Sequence, residues 1–160
     1  MDNLQEKAVM LLKENKLKIT TAESCTGGLI AKMITDVSGA SEVFECGFVT
    51  YANSIKHSIL GVKEETLKAF GAVSEETVTE MSIGALKLSG ADIAVAVSGI
   101  AGPSSDDTNK PVGLIWIALN FKGQIKTLKL NNNFNEDIRQ KNRSSAANEV
   151  FRLICETLEE

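Results

Sequence analysis

Apolar positions along this chain recur with two periods, one near 3.6 residues and one near 2, and the switches between them mark out the elements. Residues 1–16 set Leu4, Ala8, Leu11 and Leu12 on one side of an amphipathic helix. Leu17-Lys-Ile-Thr-Thr then alternates like a short strand, and Leu29-Ile-Ala-Lys-Met-Ile returns to helical spacing. A second strand is predicted over Val43–Tyr51, followed by a helix that Asn53 would cap and that carries Lys56 and His57 to Leu60-Gly61. Residues 63–70 suggest a further short helix. Ser74-Glu-Glu-Thr opens a longer one that ends near Gly90, with acids in its first turn and Val78, Met81, Ala85 and Leu88 as its buried stripe.

Asp92-Ile-Ala-Val-Ala-Val is almost wholly apolar, as a central strand covered on both faces requires, and runs into the loop Ser98-Gly-Ile-Ala-Gly-Pro103. After the polar segment 104–109, Pro111 to Leu119 reads as a strand, and Lys122-Gly123 signals a hairpin into an antiparallel partner, Gln124 to Leu130. A long helix over about 136–158 turns Ile138, Ala146, Val150, Leu153 and Ile154 inward and sets Arg139 and Arg143 one turn apart. This order predicts an α/β fold, a three-layer α/β/α sandwich with a mostly parallel sheet ending in an antiparallel hairpin. No repeat, low-complexity tract or Pro-rich linker divides it, so residues 1–160 read as one domain.

Composition narrows the function classes. A chain of 160 residues with 43% hydrophobic content can bury a sizeable core without disulfides. Its net charge of -4 and scattered Lys and Arg lack the basic stripe of a nucleic-acid binder, while leaving room for contact with one phosphate on a small substrate. Cys25, Cys46 and Cys155 are an odd, widely spaced set with no CxxC pair, which argues against a disulfide framework or a thiolate zinc site and points to a reducing cytoplasm. Acids among the first residues speak against a secretory signal, and no apolar run approaches the length that spans a bilayer, so no membrane partner is expected. One histidine and the pair Asp106-Asp107 make no metal-ligand set, and no metal or cofactor is expected.

Ligands of parallel α/β sheets gather at the carboxyl ends of strands, and there the chemically suggestive residues fall. Ser24 follows the first predicted strand, Tyr51 and Lys56 follow the second, and the Gly-rich loop follows the third. Within Thr-Ala-Glu-Ser-Cys-Thr-Gly-Gly, residues 21–28, Ser24 stands where a strand gives way to a helix, beside backbone N–H groups that favour developing negative charge. Taken alone, an N-cap and a tight turn are the simpler reading of that segment. A nucleophilic serine needs a base. His57 is adjacent to Lys56 on the predicted helix and points about 100° away from it, so one site accommodates only one of them. Lys56 becomes a base if desolvation lowers its pKa, with Tyr51 relaying or orienting the proton. Cys25 competes as a nucleophile, although adjacent side chains diverge and a buried, inert thiol suits it better.

Five ordered motifs, AESCTGG, YANSIKHSILGV, GAVSEET, SGIAGP and KPVG, resemble the CinA C-terminal domain family, the nicotinamide-nucleotide amidases, over nearly the whole chain. The resemblance implies hydrolysis of the carboxamide of nicotinamide mononucleotide to nicotinic acid mononucleotide and ammonia, in pyridine-nucleotide salvage. Carried over by motif, the family's serine falls on Ser24 and its tyrosine and lysine on Tyr51 and Lys56. Backbone N–H groups of Thr26, Gly27 and Gly28 are expected to hold the oxyanion. Asn53, Gly99, Ala101, Gly102, Lys110, Arg139 and Arg143 are candidates for holding the substrate, with the loop Gly99 to Pro103, Lys110 and either Arg139 or Arg143 expected at its phosphate. Where family members continue with a glycine-rich run this chain has Ser104-Ser-Asp-Asp-Thr108, and Asn142 replaces an apolar residue before the second arginine. Those departures leave a catalytically weak or inactive nucleotide-binding module as the alternative. A homo-oligomer is expected, as small α/β enzymes commonly assemble symmetrically.

Overall fold

The computed structural model describes residues 3–160, so the part of the first predicted helix at residues 1–2 lies outside the described residues. Strands β1 (Ile19–Glu23), β2 (Phe44–Val49), β3 (Ile93–Gly99), β4 (Leu114–Phe121) and β5 (Gln124–Asn131) form one sheet in the order β2-β1-β3-β4-β5. β1 pairs in parallel with β2 and with β3, whereas β3 with β4 and β4 with β5 are antiparallel. The parallel start and the terminal hairpin are thus both present. The antiparallel entry of β4 beside β3 is the feature that the pattern left open.

Helices α1 (Leu4–Glu14), α2 (Leu29–Thr35) and α6 (Ile138–Glu159) cover one face, and α3 (Asn53–Leu60), α4 (Glu64–Phe70) and α5 (Glu75–Ser89) the other. Side-chain size decides which. β3 sends Ile93, Val95 and Val97 toward α1, α2 and α6, and only Ala94 and Ala96 toward α5. With Ala22 and Ala118 these form a shallow alanine face, on which α5 lays the fully buried Val78, Met81 and Ala85. Each large side chain so buried contributes roughly 1.5–3 kcal/mol. α5 meets α3 through Gly84, where a Cβ would lie 1.9 Å from the Leu60 carbonyl oxygen. Glycine there lets the helix bearing Lys56 sit close against the core.

Several boundaries and placements differ from the sequence reading, each for a physical reason. β1 lies two residues later than the alternation suggests and is buried on both faces, threonines included. Strands on either side take its backbone, and Thr20 donates its hydroxyl to the Cys46 carbonyl at 2.7 Å. β4 begins at Leu114 rather than Pro111. Asn53 is the first helical residue of α3, and the cap position falls to Ala52. Leu88 is 56% exposed. A straight helix of 3.6 residues per turn drifts off a 3.5-residue pattern, and Ser82 and Leu86 continue the inward line instead. Among the described residues no helix is long and apolar enough to cross a membrane.

Candidate active site

Parallel pairing brings three strand ends level, with Glu23 opposite Val49 on one side and Val97 on the other. The register continues one step further: Thr50 N–H donates to the Glu23 carbonyl at 2.9 Å, and Ser24 N–H to the Val97 carbonyl at 3.0 Å. Ser24, Thr50 and Ser98 therefore stand side by side at the carboxyl edge of the sheet, all three buried.

Ser24 opens a turn rather than capping a helix. Gly27 and Gly28 adopt φ of 59° and 97°, a left-handed backbone that other residues resist, and Gly28 occupies the cap position of α2 with no side chain to offer. The Gly27 N–H donates to the Ser24 carbonyl at 3.0 Å, so that amide is already engaged, contrary to the expectation that it faces an oxyanion. The amides of Thr26 and Gly28 have no acceptor among the described residues, and the Cys25 N–H faces its own thiol.

Lys56, in the first turn of α3, is 1% exposed and is among the largest fully buried side chains of the described residues. Its Nζ donates to Ser24 Oγ at 2.9 Å and to the Tyr51 carbonyl at 2.8 Å. Burial disfavours the ammonium and lowers its pKa from 10.5 to about 8, with Cys25 opposing the shift. Its neighbour His57 points elsewhere, with Nδ1 2.7 Å from the Val62 carbonyl. Burial pushes the Cys25 thiol up to about 12, which leaves it inert as a nucleophile.

Tyr51 is placed differently from its predicted role. Its side chain is exposed and its hydroxyl accepts from Arg139 Nη2 at 3.1 Å, so what it offers Lys56 is a backbone carbonyl, not a phenol. Asn53 is exposed and lines a groove with Ser54, His57, Glu64 and Leu67, on the α4 side of α3. Lys110 is also drawn away from Ser24, since its Nζ donates to the carbonyls of Phe70 at 2.5 Å and Val73 at 2.6 Å, between α4 and α5.

One helix joins the remaining candidates. From α6, Arg139 Nη1 donates to the Gly102 carbonyl at 2.8 Å, Asn142 Nδ2 to the Ala101 carbonyl at 2.9 Å, and Arg143 Nη2 to the Thr26 carbonyl at 2.8 Å. The turn after β1, the turn after β2 and the loop after β3 are thereby tied to a single face of α6. Among the described residues neither arginine has an acidic partner, so both guanidinium charges stay uncompensated where α6 meets these loops. The loop packs tightly at Gly99 and Gly102: a Cβ would fall 2.6 Å from Ile115 Cγ1 at the first, and 2.4 Å from Val112 Cγ1 and 3.1 Å from Ile138 Cγ2 of α6 at the second. Ser104 to Thr108 is exposed, and Asp106 accepts from the Thr108 backbone N–H at 3.0 Å, closing the segment on itself.

The sequence reading passed over Glu23. This carboxylate is fully buried and accepts from the Ile30 N–H at 2.9 Å and the Ala31 N–H at 3.1 Å, giving α2 the cap that Gly28 lacks. The signal available was an acid among buried strand residues, six positions before a helix with no Ser, Thr or Asp at its start.

The profile of the CinA C-terminal domain matches residues 1–158. A CinA-like protein of Akkermansia muciniphila is 59% identical over 121 residues, 76% of this chain but only 29% of that protein's length. The nicotinamide-nucleotide amidohydrolase PncC of Escherichia coli K12 is 56% identical over 115 residues, 72% of this chain and 70% of that protein. A crystal structure of a CinA superfamily protein from Klebsiella pneumoniae superposes with a TM-score of 0.93 at 36% identity, covering 98% of this chain and 96% of that one. This chain belongs to the CinA C-terminal domain family.

Proposed function

We propose that this domain hydrolyses the carboxamide of nicotinamide mononucleotide to nicotinic acid mononucleotide and ammonia, with Ser24 as nucleophile and Lys56 as base. The observation that carries the reading is the 2.9 Å contact between a buried lysine and a serine hydroxyl. The name of the Escherichia coli relative supplies the substrate.

A neutral Lys56 has two N–H bonds and one lone pair. Donation of one N–H to the Tyr51 carbonyl leaves the lone pair for the Ser24 proton. Ser24 Oγ then attacks the amide carbon while its proton passes to Lys56. The new oxyanion accepts from the free amides of Thr26 and Gly28, with Cys25 N–H beside them. Collapse breaks the C–N bond, Lys56 returns its proton to the departing nitrogen, and ammonia leaves. Water attacks the acyl-serine by the reverse route and releases the carboxylate. Arg139 and Arg143 hold the substrate phosphate, for which a guanidinium fork is suited. Such a reaction belongs to pyridine-nucleotide salvage.

A coupled assay of ammonia release from nicotinamide mononucleotide, nicotinamide riboside and nicotinamide tests the proposal. Turnover of the nucleotide that Ser24→Ala and Lys56→Ala each abolish, with fold retained, is the expected result. Full activity in either variant overturns the assigned roles. Saturable binding with no turnover would replace the amidase with a nucleotide-binding module.

A further inference from the structure

We infer that Glu23 is a positioning residue for Ser24, whose buried carboxylate fixes the turn that carries the nucleophile and the amides around it. The inference deepens the proposed serine chemistry and rests on it. An isolated buried carboxylate is costly, and no ion pair to Glu23 occurs among the described residues. Its stabilisation comes from two helix amides and from the partial positive charge at the start of α2.

Helix stability alone does not need this arrangement. A Ser, Thr or Asp at the cap position would satisfy the same donors locally. Here the cap position is Gly28, and the acceptor is supplied from the last residue of β1. That choice closes a ring from Glu23 to Ile30 and Ala31 with Ser24 inside it. Ser24 N–H is pinned to Val97, and Arg143 holds the far side of the turn through the Thr26 carbonyl. A turn restrained at these points keeps the Cys25, Thr26 and Gly28 amides in fixed directions. Glutamine in place of Glu23 has the same shape but presents an NH2 group to one of the two helix N–H donors. One bond is lost, two donors face each other, and the turn must rotate.

The test compares wild type, Glu23→Gln and Glu23→Asp in two measurements. One is ammonia release from nicotinamide mononucleotide, normalised to folded protein. The other is the rate of Ser24 labelling by a fluorophosphonate probe, read by mass. We expect Glu23→Gln to keep KM within about threefold while kcat falls on the order of a hundredfold, the usual effect of misplacing a reacting group by about 1 Å. Labelling should slow in parallel, and the inflection of the pH profile should not move, because Lys56 is untouched. Unchanged kcat and labelling in a merely less stable Glu23→Gln overturn the inference. If that variant does not fold, Glu23→Asp decides in the same way, since it keeps the charge on a shorter arm. Should wild type release no ammonia, the substrate proposal fails, and the labelling rates alone decide the role of Glu23. Wild-type Ser24 that resists both substrate and probe sinks the two together.

Discussion

Lys56 Nζ lies 2.9 Å from Ser24 Oγ across 32 residues of sequence, and the contact is buried. Removing either partner should abolish amide hydrolysis. Lys56→Met retains the length of the side chain without a base, so loss of turnover in a variant with a normal unfolding transition isolates the chemistry from the packing.

The same burial sets the pH dependence. A base must be neutral to accept the serine proton. With a pKa of about 8, Lys56 is about one-tenth neutral at pH 7 and half neutral at pH 8. The rate kcat/KM should therefore rise with pH and level off above an inflection near 8, a limb that Lys56→Met lacks. Stability carries the opposite face of the shift. The folded chain gives up this proton near 8 and the unfolded chain near 10.5, so the contribution of Lys56 to stability increases with pH across that window. Chemical denaturation of wild type and Lys56→Met between those limits checks the sign.

Tyr51 separates two accounts of the lysine. A phenolic relay would make Tyr51→Phe as damaging as Lys56→Met. Because its carbonyl rather than its hydroxyl meets Lys56, Tyr51→Phe should retain kcat within about tenfold, the loss being that of one hydrogen bond to Arg139. Steady-state kinetics decide between them.

Arg139 should act on binding. Among the described residues its guanidinium donates to the Gly102 carbonyl and the Tyr51 hydroxyl and meets no carboxylate. Arg139→Met is expected to raise KM for the nucleotide roughly tenfold to a hundredfold, the worth of a charge-assisted hydrogen bond, with little effect on nicotinamide riboside, which has no phosphate. An equal effect on both substrates would remove Arg139 from the phosphate site.

Gly84→Ala tests the scaffold under the lysine. Its methyl group would enter the Leu60 carbonyl at 1.9 Å, so α3 and α5 must part. A loss of about 1–3 kcal/mol in thermal or chemical unfolding is expected, together with reduced kcat, because α3 bears Lys56.

Much of this molecule is written locally. The all-apolar run 93–97, the Lys122-Gly123 hairpin and the Ser74 cap of α5 were legible because strand burial, turn geometry and helix capping depend on nearby residues. Ser24, Lys56 and both arginines stood out because a strand end and a helix start announce themselves in sequence. Tertiary structure alone decided which groups meet. The Tyr51 carbonyl rather than its hydroxyl reaches Lys56, and Lys110 turns to the carbonyls of Phe70 and Val73. Glu23 caps a helix that begins beyond Ser24. Each outcome depends on which buried polar group finds a partner once the sheet, α3 and α6 close around the turn. Hydrogen bonds between distant segments leave no period in the sequence. A residue's type states what it can donate or accept, and packing in three dimensions determines to whom.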